Sequence, residues 1–280
     1  MFQLRKGRLA ALVWAGFAIA FAPFAAAAEQ GTQNIVRTYA DIAVMADSAP
    51  AILQVEVKSA ARLEPARSVG VAPGMARLYV EARPVAALTG VGPGVPLVRY
   101  LVDVPLDARG KVANLKKQMA LIFVRPTATE GELQLLAPDA QWAWSPELDA
   151  RVRGVLAELA RPGAPGRITG VSVALYQPGN LAGEGETQFF LNTASGVPAS
   201  ITVRHAPGAA PTWNASFSEV VDASGKPPAH DSLPWYRLAC SLPARLPAKA
   251  NVGENQPERD QAIADYAMVL RDLGPCAHGG

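Results

Sequence analysis

Residues 138–166 read PDAQWAWSPELDARVRGVLAELARPGAPG, and this stretch decides the architecture. It holds a helix followed by a breaker-rich connection in mid-chain, while the residues before it and most of those after it read as strands. Ser145 is placed to cap the helix, because its hydroxyl can accept a free amide N–H of the first turn. Pro146 follows at the first helical position, where a missing N–H costs nothing, and Glu147 and Asp149 suit the positive end of the helix dipole. Leu148, Val152, Val155, Leu156 and Leu159 recur at helical spacing and form one apolar face. Pro162, Gly163, Pro165 and Gly166 then end the helix and stiffen the connection. The expectation is two β-rich halves, residues 29–160 and 167–280, joined by a linker at 161–166. Trp142 and Trp144, two residues apart, would share one side of a strand leading into the helix. Such a pair covers a core edge far more often than it stacks on a sugar.

Working back from the helix, five strands are legible. Ala51, Leu53, Val55 and Val57 alternate with Gln54, Glu56 and Lys58, and Ala76, Leu78, Val80 and Ala82 alternate with Arg77, Tyr79, Glu81 and Arg83. That two-residue period belongs to half-buried strands. Val98, Tyr100, Val102 and Val104 share a side of the third. Residues 119–124 are continuously apolar, as in a strand buried on both faces, and 132–136 complete the set. Five short strands, a polar excursion at 107–117 and a closing helix resemble a small OB-like antiparallel β-barrel over residues 40–145. The resemblance implies a face for oligosaccharide or protein, although a fold alone assigns no ligand.

Working forward, residues 168–176, 186–193, 200–205 and 212–221 read as strands separated by Gly- and Pro-rich turns. The period then changes. Leu233, Trp235, Leu238, Ala239 and Leu242 are helically spaced behind Asp231 or Ser232 as cap. Residues 258–273 form a last helix, with Ile263, Tyr266, Ala267 and Leu270 as its expected apolar face. The fold class is therefore α+β and β-rich, its second half a four-stranded antiparallel sheet with two C-terminal helices on one face.

The N-terminus has the pattern of an export signal. Arg5, Lys6 and Arg8 precede a nearly unbroken apolar run from Leu9 to Phe24, and Ala26 and Ala28 stand at the −3 and −1 positions of a cleavage site. Cleavage would remove residues 1–28 as a signal peptide and start the mature chain at Glu29. The run is long enough to span a bilayer if retained, but Pro23 and the Ala-x-Ala ending favour cleavage, which leaves no membrane span. Removing Arg5, Lys6 and Arg8 turns the formal net charge from +2 to −1. Lys116-Lys117 is then the densest basic pair, so no basic stripe for nucleic acid is visible. Cys240 and Cys276, an even pair in an exported chain, read as one structural disulfide. The chain resembles exported proteins of Gram-negative bacteria, which implies a periplasmic or secreted location.

Candidate residues for chemistry are few. His230-Asp231-Ser232 has the letters of a triad, yet neighbouring side chains diverge and cannot relay a proton, and a turn ending in a cap explains the run. Gly183-Glu184-Gly185-Glu186 lacks the Lys-Ser/Thr of a phosphate loop and reads as a solvated turn. His205, His230 and His278 match no zinc spacing. The most site-like patch is the polar face of Asn214, Ser216 and Ser218 with Glu219, read as ligand-facing, though a solvated sheet face looks the same. No catalytic residue, metal or cofactor is assigned. The expected function is that of a non-enzymatic binding or envelope-associated module whose partner is an envelope protein or small ligand, not nucleic acid. The alternative is a hydrolase of an envelope polymer using paired carboxylates from Glu184, Glu186, Glu219 or Asp222, which would need two such groups facing one cleft.

Overall fold

The alternating apolar pattern becomes two antiparallel sheets, one in each half of the chain. The structure, a computed structural model, describes residues 37–90, 92, 94–217 and 226–276. The signal-peptide reading, with Ala26, Ala28 and Glu29, falls outside the described residues. The first sheet contains β1 (Ala51–Arg62), β2 (Met75–Thr89), β3 (Val98–Pro105), β4 (Met119–Pro126), β5 (Leu133–Leu135) and β6 (Gln141–Ala143). Its order is β3-β2-β1-β4-β5, with β6 also on β4. β1 and β2 form a long hairpin from Ile52↔Thr89 to Arg62↔Leu78, and three register shifts curl it. Gly90 closes the far end with a positive φ of 78°, where a side chain would meet the Pro50 carbonyl.

This sheet does not close on itself. β5 is three residues long, too short to ladder along β3, and the two edges meet in one isolated parallel bridge, Arg99–Glu132. The barrel expected from strand spacing is thus corrected to an open sheet. The seam between its edges is held at two points. The Arg99 N–H donates to the Gly131 carbonyl at 2.8 Å, and the Asp103 N–H to the Pro138 carbonyl at 2.7 Å.

A helix precedes β1, where the sequence reading placed no element. α1 (Tyr39–Ser48) starts in a capping box: the Thr38 hydroxyl accepts from the Asp41 N–H, and the Asp41 carboxylate accepts from the Thr38 N–H. Ala49-Pro50 follows it, and the residue before a proline leaves helical space. α2 (Pro146–Leu159) is capped by Ser145 as its sequence foretells, and buries Val152 and Val155. Trp142 in β6 is buried against Phe123, their ring centres 4.4 Å apart.

The second sheet runs β10-β9-β8-β7, from β7 (Ile168–Pro178), β8 (Gly185–Thr193), β9 (Ala199–His205) and β10 (Thr212–Ser216). α4 (Gln256–Leu273) packs on β7 and β8, while α3 (Leu233–Ala239) touches α4, α1 and α2. The buried stripe of α4 is Ala262, Asp265, Tyr266, Val269 and Leu273, and Ile263 lies half exposed. The expected stripe through Ile263, Ala267 and Leu270 is therefore rotated around the axis. The cause is polar: Asp265 turns inward because β8 and β9 offer it hydrogen-bond partners.

One apolar cluster takes in residues of both halves, among them Phe123, Val152, Phe189, Leu238 and Tyr266. At this junction Arg237 on α3 binds Asp47 near the end of α1 and, through Nε, the Pro165 carbonyl at 2.9 Å. Cys240 and Cys276 are joined in a disulfide that ties the end of α3 to the chain just beyond α4. Among the described residues, no helix is long and apolar enough to cross a membrane.

Candidate functional site

Antiparallel pairing sets the outward side chains of β2 opposite those of β3, giving three rows: Arg77 with Asp103, Tyr79 with Leu101, Glu81 with Arg99. β1 extends the middle row by placing Ala61 beside Tyr79. Each row has its own chemistry. Arg77 makes a two-pronged ion pair, Nε to Oδ1 at 2.7 Å and Nη2 to Oδ2 at 2.8 Å of the buried Asp103. Its remaining nitrogen donates to the Val69 carbonyl at 3.2 Å and holds the β1–β2 loop beside the sheet. Tyr79 and Leu101 are 36% and 45% exposed, so an apolar pair stands uncovered in the middle of a charged face. Arg99 and Glu81 approach only to 3.4 Å, and both are more than a third exposed, so that pair holds its guanidinium weakly.

Segment 131–138 forms the opposite wall. Between its two seam bonds the chain turns to pair with β4, Leu133 with Pro126 and Leu135 with Val124, and so bows away from β3. The space left is an open groove of about 960 Å³ with Leu133, Leu136 and Pro138 on one side and Tyr79 and Leu101 on the other. Arg67, on the one-turn helix Pro65–Arg67, stands at its rim, exposed, and its guanidinium has no ion-pair or hydrogen-bond partner among the described residues. Beneath the groove the Tyr100 hydroxyl donates to the Gln141 side-chain oxygen at 2.7 Å. Burial pushes that hydroxyl far above its ordinary pKa, so it stays a donor.

The residues singled out from sequence lie elsewhere. Asn214 and Ser216 are 1% and 5% exposed on β10, and the Asn214 oxygen accepts from Arg204 at 3.4 Å, so this is not a solvated face. Ser218, Glu219, Asp222 and His278 fall outside the described residues. Glu184 folds back on its own turn, accepting the Asn180 and Leu181 N–H groups at 3.2 Å each. Glu186 accepts from Gln188 at 2.6 Å and from Arg204 at 3.1 Å. Ser232 caps α3, and the His230 ring lies 4.5 Å from that of Trp235, so that run serves the helix start.

No protein-family model matches the chain, and no curated protein is significantly similar to it. One further polar cluster has the residue types of a relay: Asp265 accepts from the Thr187 hydroxyl, from Gln261 at 2.9 Å and lies 2.9 Å from His205 Nε2. The carboxylate sits between the hydroxyl and the imidazole, whereas a nucleophilic relay needs the imidazole in the middle. The cluster instead satisfies one buried acid. Among the described residues, no group of three or more His, Cys, Asp or Glu is placed to hold a metal.

The groove escaped the sequence reading because its arginines come from positions 67, 77 and 99, too far apart to register as a basic block. The available signal was the outward set Arg77, Tyr79, Glu81 and Arg83, which carries an aromatic ring among charges. What the groove can do is hold an apolar body against Tyr79 and Leu101 while a guanidinium meets a negative group.

Proposed function

We propose that the protein is an exported, non-enzymatic binding module, periplasmic or secreted, whose ligand lies in the groove between the β2–β3 face and segment 131–138. The observation that carries this reading is the exposed Tyr79–Leu101 pair beneath Arg67, an apolar floor with an uncommitted cation at its edge. Concave, largely apolar sites with a few directed polar groups are where ligands bind. The first sheet is read as an OB-like barrel opened along its β3–β5 seam, and the strand order and the single Arg99–Glu132 bridge support it. The Cys240–Cys276 disulfide supports the oxidising compartment.

The test is crosslinking in cells of the full-length tagged protein carrying a photoreactive residue at position 79. Reproducible capture of one envelope component, lost on Leu101→Arg, is the expected result. Absence of any adduct, or a saturable hydrolytic activity of the purified protein abolished by a single substitution, would overturn it.

A further inference from the structure

We infer that the groove takes an extended peptide segment with a carboxylate next to an apolar side chain, an inference that rests on the binding-module reading above. The backbone of β3 is the first reason. In a strand, N–H groups of every second residue point the same way. Arg99 and Asp103 both donate across the seam, so Leu101, midway between them, also presents its N–H and C=O there. Segment 132–137 bows away at this point and makes no backbone bond to Leu101. An unpaired strand edge beside a groove is the setting in which extended peptides add main-chain hydrogen bonds, with side-chain pockets giving specificity.

Charge is the second reason. The lining arginines are Arg67, Arg77 and Arg99, against the acids Asp103 and Glu132. Asp103 already occupies Arg77 through two short bonds, while the Arg67 guanidinium is unpartnered among the described residues and that of Arg99 is held at 3.4 Å. Two guanidinium groups are thus available for a carboxylate.

Composition of the lining separates peptide from the other polymers. Its neutral polar groups are Thr127, Gln134 and the hydroxyls of Tyr79 and Tyr100, the last already given to Gln141, too few for the dense hydrogen bonding of a sugar chain. Tyr79 is the one exposed aromatic ring in it, whereas single-stranded nucleic acid stacks successive bases on several. Leu133, Leu136 and Pro138 offer apolar contact for a peptide side chain.

The experiment is selection of a random heptapeptide library on the full chain, with Arg67→Glu as the counter-selection, followed by amide NMR with the enriched peptides. Arg67 is exposed, so the variant keeps the fold. Enriched peptides should pair Asp or Glu with a branched or aromatic neighbour, move the Leu101 amide resonance, and weaken about tenfold or more on Arg67→Glu. N-methylation of the peptide backbone should weaken them comparably. Enrichment without acids, or indifference to Arg67→Glu, overturns the inference. No enrichment, with hexagalacturonate or an eight-residue oligothymidine shifting the Leu101 and Tyr79 resonances instead, keeps the groove as a binding site and overturns the peptide. No shift with any of these probes overturns both readings.

Discussion

Arg237 and Asp47, 190 positions apart, meet in a two-pronged ion pair with Nη1–Oδ2 at 2.6 Å and Nη2–Oδ1 at 3.0 Å. Asp47 stands in the last turn of α1, where the helix dipole disfavours an acid. Arg237 reverses that penalty and is itself almost fully buried. Arg167 adds a second, half-exposed guanidinium at 2.8 Å. Replacing Arg237 by Ala would leave a largely buried carboxylate with the weaker partner, and a loss of about 3 kcal/mol is expected. Arg167→Ala should cost about 1 kcal/mol or less. Urea denaturation of the two variants checks the order.

The same pair makes a pH prediction. Burial pushes the Asp47 carboxyl up, but the hydrogen bonds and charges of Arg237 and Arg167 outweigh it and hold the group below its ordinary pKa. A folded value below the unfolded one means the contribution is fully present above the unfolded value of about 4 and is lost as pH falls through the folded value. Stability should therefore drop below about pH 4, and Arg237→Ala should flatten that part of the profile. Denaturation midpoints measured from neutral to strongly acidic pH test this.

Among the described residues, Asp265 is the most connected acid of the second half. Asp265→Ala should cost about 3 kcal/mol, because Thr187 is left buried with an unmatched hydroxyl and the packing is lost as well. Thr187→Val, which removes the donor and keeps the shape, should cost about 1–2 kcal/mol. A double-mutant cycle should show the two effects to be non-additive.

The disulfide closes a loop with a sequence separation of 36. Reduction should lower stability by about 3–4 kcal/mol in the chain-entropy description. Thermal unfolding with and without reductant, beside a Cys240→Ser/Cys276→Ser variant, measures it. Equal stability of all three would contradict the expectation.

Two tryptophans should respond differently to loss of their indole N–H. Trp235 donates to the Leu273 carbonyl at 2.8 Å, whereas the Trp142 indole N–H is buried without a partner among the described residues. Trp235→Phe strands a buried carbonyl at the end of α4. Trp142→Phe removes an unmet donor and keeps a ring against Phe123. Trp235→Phe should be the costlier by about 1–2 kcal/mol in chemical denaturation.

Much of the architecture is visible in the chain itself, because period-two alternation at 51–58, 76–83 and 98–104 and the Ser145-Pro146 start of α2 are local signals. α1 is harder to read. Ala40, Ile42, Ala43 and Ala46 are all buried, so the helix lacks the polar face that marks helical periodicity, and Thr38 with Asp41 is its one local mark. The stripe on α4 is misplaced for the opposite reason, since a hydrophobicity count cannot anticipate that a buried acid at 265 is matched by Thr187 and His205. The groove is invisible at the level of local pattern. Arg67, Arg77 and Arg99 become neighbours through strand register and a loop, and Leu101 looks like any outward leucine until its row with Tyr79 is drawn.

The Asp47–Arg237 pair also imposes a timetable. A chain made from its N-terminus presents α1 long before residue 237 exists, and in that interval the helix ends in an acid with no guanidinium from α3 to meet it. Arg167 is made first but is half exposed, so a product that stops short of α3 holds that acid with only the weaker of its two guanidinium partners.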